Sequence, residues 1–370
     1  MLYKLDAFRI QIRRQLVLIS FLKTDIKKAI RYIKDHGWVA FGKRIRAKLG
    51  SYQGEVTPLS DSPKIQEDMS GCQSIWDDSI EQYQKANFKL YWELLTEVEK
   101  YQMKSITGDE NLHYFWYTFD YLKGSITATT NLRALSIGCM EGNPGPEMSL
   151  FKTGLFNEID VMDIAEGLLK KQKKIASEMR LNSINYIRQD LNKVVLKKNA
   201  YDLIWAIGTI HHIENLEGFF EQINRAIKDD GIFMLREYVG PNRLQLTDVQ
   251  LSIINEILSI LPEKYKKTVY GSIKNIAKSP DIAELMTVDP SESVRSQDIL
   301  SVMNEKLNVI KLVHTGGTIL QPLLNNIASN FEEDQDADTI LRLLIFFEKI
   351  LIEKEILPSD YVFSIAKKLG

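Results

Sequence analysis

The sequence predicts an α/β fold with a doubly wound parallel sheet. Three observations carry that expectation. Between residues 132 and 239, five short apolar segments alternate with stretches of helical periodicity, the pattern of parallel βαβ units in a buried sheet. The first segment, ALSIGCMEGNPG at 134–145, runs straight into a glycine-rich turn, where backbone N–H groups can come close to a ligand. The later segments end on or near Asp163, Asp190, His211–His212 and Glu237, and an open parallel sheet binds its ligands at the carboxyl ends of its strands.

Taken in chain order, residues 1–50 hold seven Lys and six Arg against three Asp. Tyr3, Leu5, Ile10, Leu16, Ile19, Ile26, Ile30 and Ile33 recur at roughly helical spacing, which reads as a basic amphipathic arm. A solvated helix packed on the main body comes first as its role; docking to an anionic membrane surface or a membrane-bound partner such as a glycosyltransferase comes second. Docking predicts salt-sensitive binding to anionic liposomes that disappears when residues 1–50 are deleted, and a chain that ignores such liposomes at low salt rules it out. Residues 51–75 are rich in Ser, Pro, Gly and Asp and read as a linker. Residues 76–130 read as an aromatic-rich helical cap.

The core spans 131–241. Its strands are expected at 132–138, 158–164, 184–190, 202–208 and 231–239, with helices at 165–179 and 216–227. Right-handed crossovers between parallel strands make the doubly wound sandwich the simplest arrangement. After Pro241 the alternation stops, and residues 242–305 read as a mainly helical insert serving as a lid or acceptor-binding element. Within it, Asp289-Pro290-Ser291-Glu292 reads as a helix start with Ser291 as its cap. Residues 306–370 complete the core with strands at 309–315 and 360–369 around a helix at 337–354.

Composition narrows the function. A formal net charge of −2 argues against a nucleic-acid binder working through global charge. Two cysteines, Cys72 and Cys139, leave no disulfide framework, which fits a reducing, cytoplasmic setting. The run Leu16–Leu22 is too short to cross a membrane and lacks a cleavage pattern. No His/Cys/carboxylate group shows metal spacing along the chain, so no required metal is expected.

The strand ends indicate a nucleoside ligand. Asp163 lies twenty-one residues beyond Gly142, where a carboxylate can take both hydroxyls of a ribose. Asp190 is placed to accept from an adenine amine. Each acid alone is an ordinary cap residue; three strand ends in register favour the nucleoside. Both NAD and S-adenosylmethionine fit that description. The glycines here run Gly138-x-x-x-Gly142-x-x-Gly145 with Pro144 inside the turn, a poor pyrophosphate cradle, which favours S-adenosylmethionine.

These residues resemble the class I S-adenosylmethionine-dependent methyltransferases over roughly residues 80–368. LSIGCMEG is similar to the family's LSIGCGEG, DVMDIAEGLL to its ribose-binding strand end, and YDLIWAIGTIHHIENLEGFFEQINRAIKDDGIFMLREYVGP to its fourth strand, helix and fifth strand. ITGDENL, REYVGPNRLQ, DPSESVRS and GGTILQPLLNNIASNF look like a bacterial subgroup associated with glycan and polysaccharide biosynthesis. The resemblance implies a Rossmann-like, seven-stranded sheet whose last strand is antiparallel, and a sugar or glycan acceptor. By the same resemblance Gly138, Cys139, Met140 and Gly142 would line the cofactor's amino-acid end. Asp163 and Ile164 would meet the ribose and adenine, Asp190 and Leu191 the adenine edge, and Ala206 and Ile207 the methyl group. Met140 departs from the family's middle glycine, so crowding or an unfavourable backbone angle is expected there.

The reaction would be in-line methyl transfer to a sugar hydroxyl, with His212, or next His211, removing the proton and Glu237 orienting the base or binding the acceptor. Arg236, Tyr238, Arg243 and Arg295 are candidate acceptor contacts. Two other readings stand: a methyltransferase acting on a small metabolite or lipid-linked acceptor, and a catalytically weak scaffold that recruits glycan-assembly enzymes.

Overall fold

A computed structural model describes residues 91–126, 131–142, 144–332 and 335–370. The basic arm, the linker and the cap up to residue 90 lie outside the described residues. No helix among the described residues is long and apolar enough to cross a membrane.

Seven strands form one sheet: β1 (Leu132–Ile137), β2 (Phe156–Asp163), β3 (Ile184–Arg188), β4 (Tyr201–Ile207), β5 (Ile227–Tyr238), β6 (Leu307–Gly316) and β7 (Tyr361–Lys368). Their order is β3-β2-β1-β4-β5-β7-β6. Strands β1 to β5 pair in parallel, and β7 runs antiparallel between β5 and β6. This is the Rossmann-like, seven-stranded sheet with its last strand reversed. The order turns between β1 and β4, so their carboxyl ends open a crevice.

Helices cover both faces. On one side lie α1 (Thr96–Thr107), α2 (Tyr114–Ser125), the single-turn α3 (Pro146–Phe151) and α4 (Glu166–Glu178). α2 buries Tyr114, Phe115, Thr118, Phe119 and Leu122, a helical stripe. Phe115 meets Trp205 of β4 edge to face at 5.5 Å, so the aromatic cap is core packing. On the other side α5 (Leu216–Ala226) buries Leu216, Phe219, Phe220, Ile223 and Ala226. β4 is buried along nearly all of its length, as a strand covered on both faces must be.

The insert is less helical than its sequence pattern predicts. It contains α6 (Asp248–Ile260), α7 (Ile282–Val288) and α8 (Ile299–Lys306); between α6 and α7 there is one short 3₁₀ turn and an isolated bridge between Lys267 and Ile273. Pro262 and Pro280 remove backbone donors there, and Gly271 sits at φ +82° in the turn of that bridge. The remaining helices are α9 (Leu320–Leu324) and α10 (Gln335–Glu353). Gly316 and Gly317 take positive φ values at the end of β6. The buried Glu348 of α10 accepts the Gly317, Ile319 and Leu320 N–H groups at 2.8, 2.6 and 2.8 Å, which ties that turn to the body.

Candidate active site

The sharp turn after β1 is set by Gly138. Its φ is +87°, and a Cβ there would lie 2.2 Å from Thr209 Oγ1. The turn therefore needs glycine both for its backbone angle and for the close passage of the β4 loop. Gly138 N–H donates to Met162 O at 2.8 Å, holding the turn against the end of β2. There Asp163 Oδ2 accepts the Cys139 N–H at 2.7 Å and its Oδ1 accepts the Ala165 N–H at 2.8 Å. This carboxylate fixes the glycine turn and the start of α4 together. Burial, reinforced by the Asp163 and Glu147 charges, pushes the Cys139 thiol far above its ordinary range, so Cys139 is an inert wall residue.

These strand ends enclose a cavity of about 280 Å³. Cys139, Met140, Asp163, Ile164, Asp190, Leu191, Ile207 and His212 line it, as expected from the sequence. Gly138, Gly142 and Ala206 do not line it. Gly138 shapes the turn, and Ala206 is fully buried in β4, paired with Ile137 and Leu235. Ala165, Leu168, Asn192, Gly208, Thr209 and Ile213 line it without having been singled out, and Ser291 lines it although the sequence pointed to it only as a helix cap. Asp190 caps the next turn by accepting the Asn192 N–H at 3.0 Å and pairs with Lys193 at 3.1 Å. The chamber is apolar between two carboxylates, which fits a nucleoside whose ribose and base edge carry the polar groups.

At Met140 the expected unfavourable backbone angle is absent. Between 138 and 142 only Gly138 has a positive φ among the described residues, so Met140 needs no strained backbone, and its side chain forms part of the wall. Met140→Gly is expected to weaken a nucleoside ligand about 3- to 10-fold, by loss of apolar contact and gain of backbone freedom. Calorimetry with S-adenosylmethionine checks this; tighter binding in the variant would bear out the crowding expected from the sequence.

At the far end β4 breaks into a single turn carrying His211 and His212. The fully buried Glu237, at the end of β5, organises it. Its Oε2 accepts the Thr209 and Ile210 N–H groups at 2.9 and 2.6 Å, and its Oε1 accepts the Tyr238 N–H at 2.7 Å. The same Oε1 lies 2.5 Å from His211 Nδ1. Burial works against charge on His211, but the Glu237 carboxylate, helped by Glu292 and Asp289, outweighs it and holds His211 up to about 9. Burial likewise opposes charge on Glu237, and His211 with the backbone N–H groups keeps it below the usual carboxylate value. The two rings stack with centroids 4.0 Å apart. Burial, and then the charged His211 beside it, lowers His212 to about 4. At neutral pH His211 is therefore an imidazolium and His212 a neutral ring facing the cavity.

The insert closes this end, which corrects its reading as a helix start. Asp289, Pro290, Ser291 and Glu292 form an irregular turn. The buried Ser291 Oγ lies 3.1 Å from His212 Nδ1, Glu292 Oε1 lies 3.8 Å from His211 Nε2, and Val294 N–H donates to His211 O at 3.1 Å. The four expected acceptor contacts are engaged within the protein instead. Arg236 is bound by Glu93 and Gln102. Tyr238 is buried and donates to Pro241 O at 3.1 Å. Arg243 holds the Pro290 and Glu292 carbonyls, and Arg295 pairs with Glu217 and Asp298.

Residues 135–235 match a family model described as a methyltransferase domain, and that stretch runs from the second half of β1 through most of β5. The sterol 24-C-methyltransferase of Clavispora lusitaniae is 25% identical over 164 residues, 42% of this chain and 42% of that protein. The N-terminal Xaa-Pro-Lys N-methyltransferase 1-A of Xenopus laevis is 29% identical over 105 residues, 28% of this chain and 47% of that protein. The chain thus covers less than half the length of either relative. Among solved structures, phosphoethanolamine N-methyltransferase 2 of Haemonchus contortus superposes with a TM-score of 0.42 at 15% identity, over 74% of this chain and 57% of that one.

Proposed function

We propose that this chain is an S-adenosylmethionine-dependent methyltransferase whose acceptor is a hydroxyl, most specifically a sugar hydroxyl in glycan or polysaccharide biosynthesis. The observation that carries it is the single cavity in which the glycine turn, the Asp163 and Asp190 strand ends and the neutral His212 converge. S-adenosylmethionine, when bound, supplies a methyl group on a positively charged sulfur. Asp163 would hold the ribose, Ile164 and Leu191 would sandwich the base, and Asp190 would meet its polar edge. His212 would accept the hydroxyl proton as the oxygen attacks, which makes an alcohol a usable acceptor. The methyltransferase-domain match over 135–235 supports the cofactor and the reaction class; the sugar rests on the sequence resemblance.

Two measurements test this. Calorimetry should show S-adenosylmethionine binding that Asp163→Asn weakens roughly 10- to 100-fold, the loss of about one charged hydrogen bond. Absent binding to the native protein would favour a scaffold. Transfer of labelled methyl should then be screened over free sugars, oligosaccharides, lipid-linked sugars, sterols and peptides. Label on a sterol or peptide alone would overturn the hydroxyl-sugar acceptor and leave the cofactor assignment standing.

A further inference from the structure

The turn between α7 and α8 does more than cover the histidines. Asp289 Oδ1 accepts the Ser291 N–H at 2.8 Å and lies 2.6 Å from Ser291 Oγ. A carboxylate can only accept, so the Ser291 hydroxyl hydrogen is spent on Asp289. The Ser291 oxygen then faces His212 Nδ1 at 3.1 Å with lone pairs alone, and the ring can meet it only as a donor. Asp289 Oδ2, 3.6 Å from the same nitrogen, places a second negative oxygen on that edge. Asp289 and Ser291 are 8% and 3% exposed, so water does not compete for these bonds.

We infer that Asp289 and Ser291 are positioning residues that hold His212 in its Nδ1-protonated tautomer, making Nε2 the atom that takes the acceptor's proton. The hydrogen bond at one ring nitrogen selects which form a neutral imidazole adopts. His211, stacked at 4.0 Å, opposes a second positive charge on the ring, and Glu292 and Glu237 favour one. Of the groups named, Ser291 is the one in hydrogen-bond contact with Nδ1. When the hydroxyl O–H bond breaks, the Nε2–H bond forms, and the positive ring is stabilised through Nδ1 by the Ser291–Asp289 pair. The insert thereby contributes to the chemistry from a position 79 residues along the chain from His212.

This inference rests on His212 as the proton acceptor, but its test does not depend on methyl transfer. Full-length protein labelled with ¹⁵N-histidine should be examined at neutral pH by long-range ¹H–¹⁵N correlation, with His212→Gln to assign the signal. The expected result is a protonated Nδ1 and an unprotonated Nε2 on His212. Ser291→Ala should shift the proton to Nε2 or to a mixture of the two forms, and Ser291→Thr should restore the native pattern. The His211 signal, held by Glu237, reports that each variant is folded. Once an acceptor is known, Ser291→Ala should also lower kcat roughly 10-fold while changing KM for S-adenosylmethionine much less. An Nε2-protonated ring in the native protein, or no change in Ser291→Ala, overturns the inference. So does Mn²⁺ that broadens the His211 and His212 rings together, because ligand atoms of His211, His212 and Glu292 lie within 4.8 Å of one another and a cation there would take over the nitrogen. A correct tautomer in a protein that transfers no methyl group would overturn the proposed function alone.

Discussion

Glu237→Ala is expected to destabilise the protein by about 3 to 5 kcal/mol, the usual effect of removing one partner from a buried charge pair. The variant leaves the Thr209, Ile210 and Tyr238 N–H groups without their acceptor and His211 without its counter-charge. Urea unfolding of both proteins across pH checks the size and the sign. His211 is raised to about 9 from an ordinary 6.5, so the stability it contributes is fully present below pH 6.5 and is lost as pH rises through 9. Glu237 is lowered, so its share is present above the unfolded carboxylate value and is lost as pH falls through its folded value. The gap between native and variant should therefore be widest just below pH 6.5 and narrow on both sides. A gap under 1 kcal/mol, or one that does not vary with pH, would mean that the pair does not form.

His212→Ala is expected to lower methyl transfer by about 10²- to 10⁴-fold, the range of a positioned general base. The S-adenosylmethionine affinity should change much less, since His212 occupies only one end of the cavity. With His212 lowered to about 4, the native rate should stay flat as pH falls from 8 to 5, where an ordinary histidine would already be half protonated at about 6.5. A base held so low is always in its accepting form but pulls weakly on a proton. The Asp289–Ser291 contact offsets that weakness by stabilising the ring as it becomes charged. Unchanged turnover in His212→Ala would remove this residue from the reaction, and a rate that halves near pH 6.5 would show that burial and His211 do not suppress its charge.

Much of the fold is legible in the chain because it depends on near neighbours. Short apolar runs mark all seven strands and helical spacing marks α4, α5 and α10, each within about four residues of the observed bounds. The glycine turn, Asp163, Asp190 and the His211–His212 pair follow from the rule that parallel strands carry function at their carboxyl ends. The misreadings share a cause. Ser291 in DPSES fits a helix cap by local preference, and nothing nearby in sequence marks it as a partner of His212. Arg236, Arg243 and Arg295 carry exposed-looking charges, yet each meets its partners 47 to 143 residues away, or for Arg295 78 to 81 residues away apart from the local Asp298. The strained backbone expected at Met140 came from equating a motif position with a backbone angle, and that angle belongs to Gly138.

By itself, the sequence determined the alternating sheet, the position of the glycine turn at its first strand end and the place of the two histidines after the fourth strand, since hydrophobic period and turn chemistry are local. Only the tertiary structure decided which histidine is charged and which is neutral. That difference comes from burial and from the distances to Glu237, Glu292 and Asp289, which three separate segments set when the insert folds back over the strand ends. An ionisation state depends on the field of whatever charges lie within a few ångströms, and chain order does not encode which those will be.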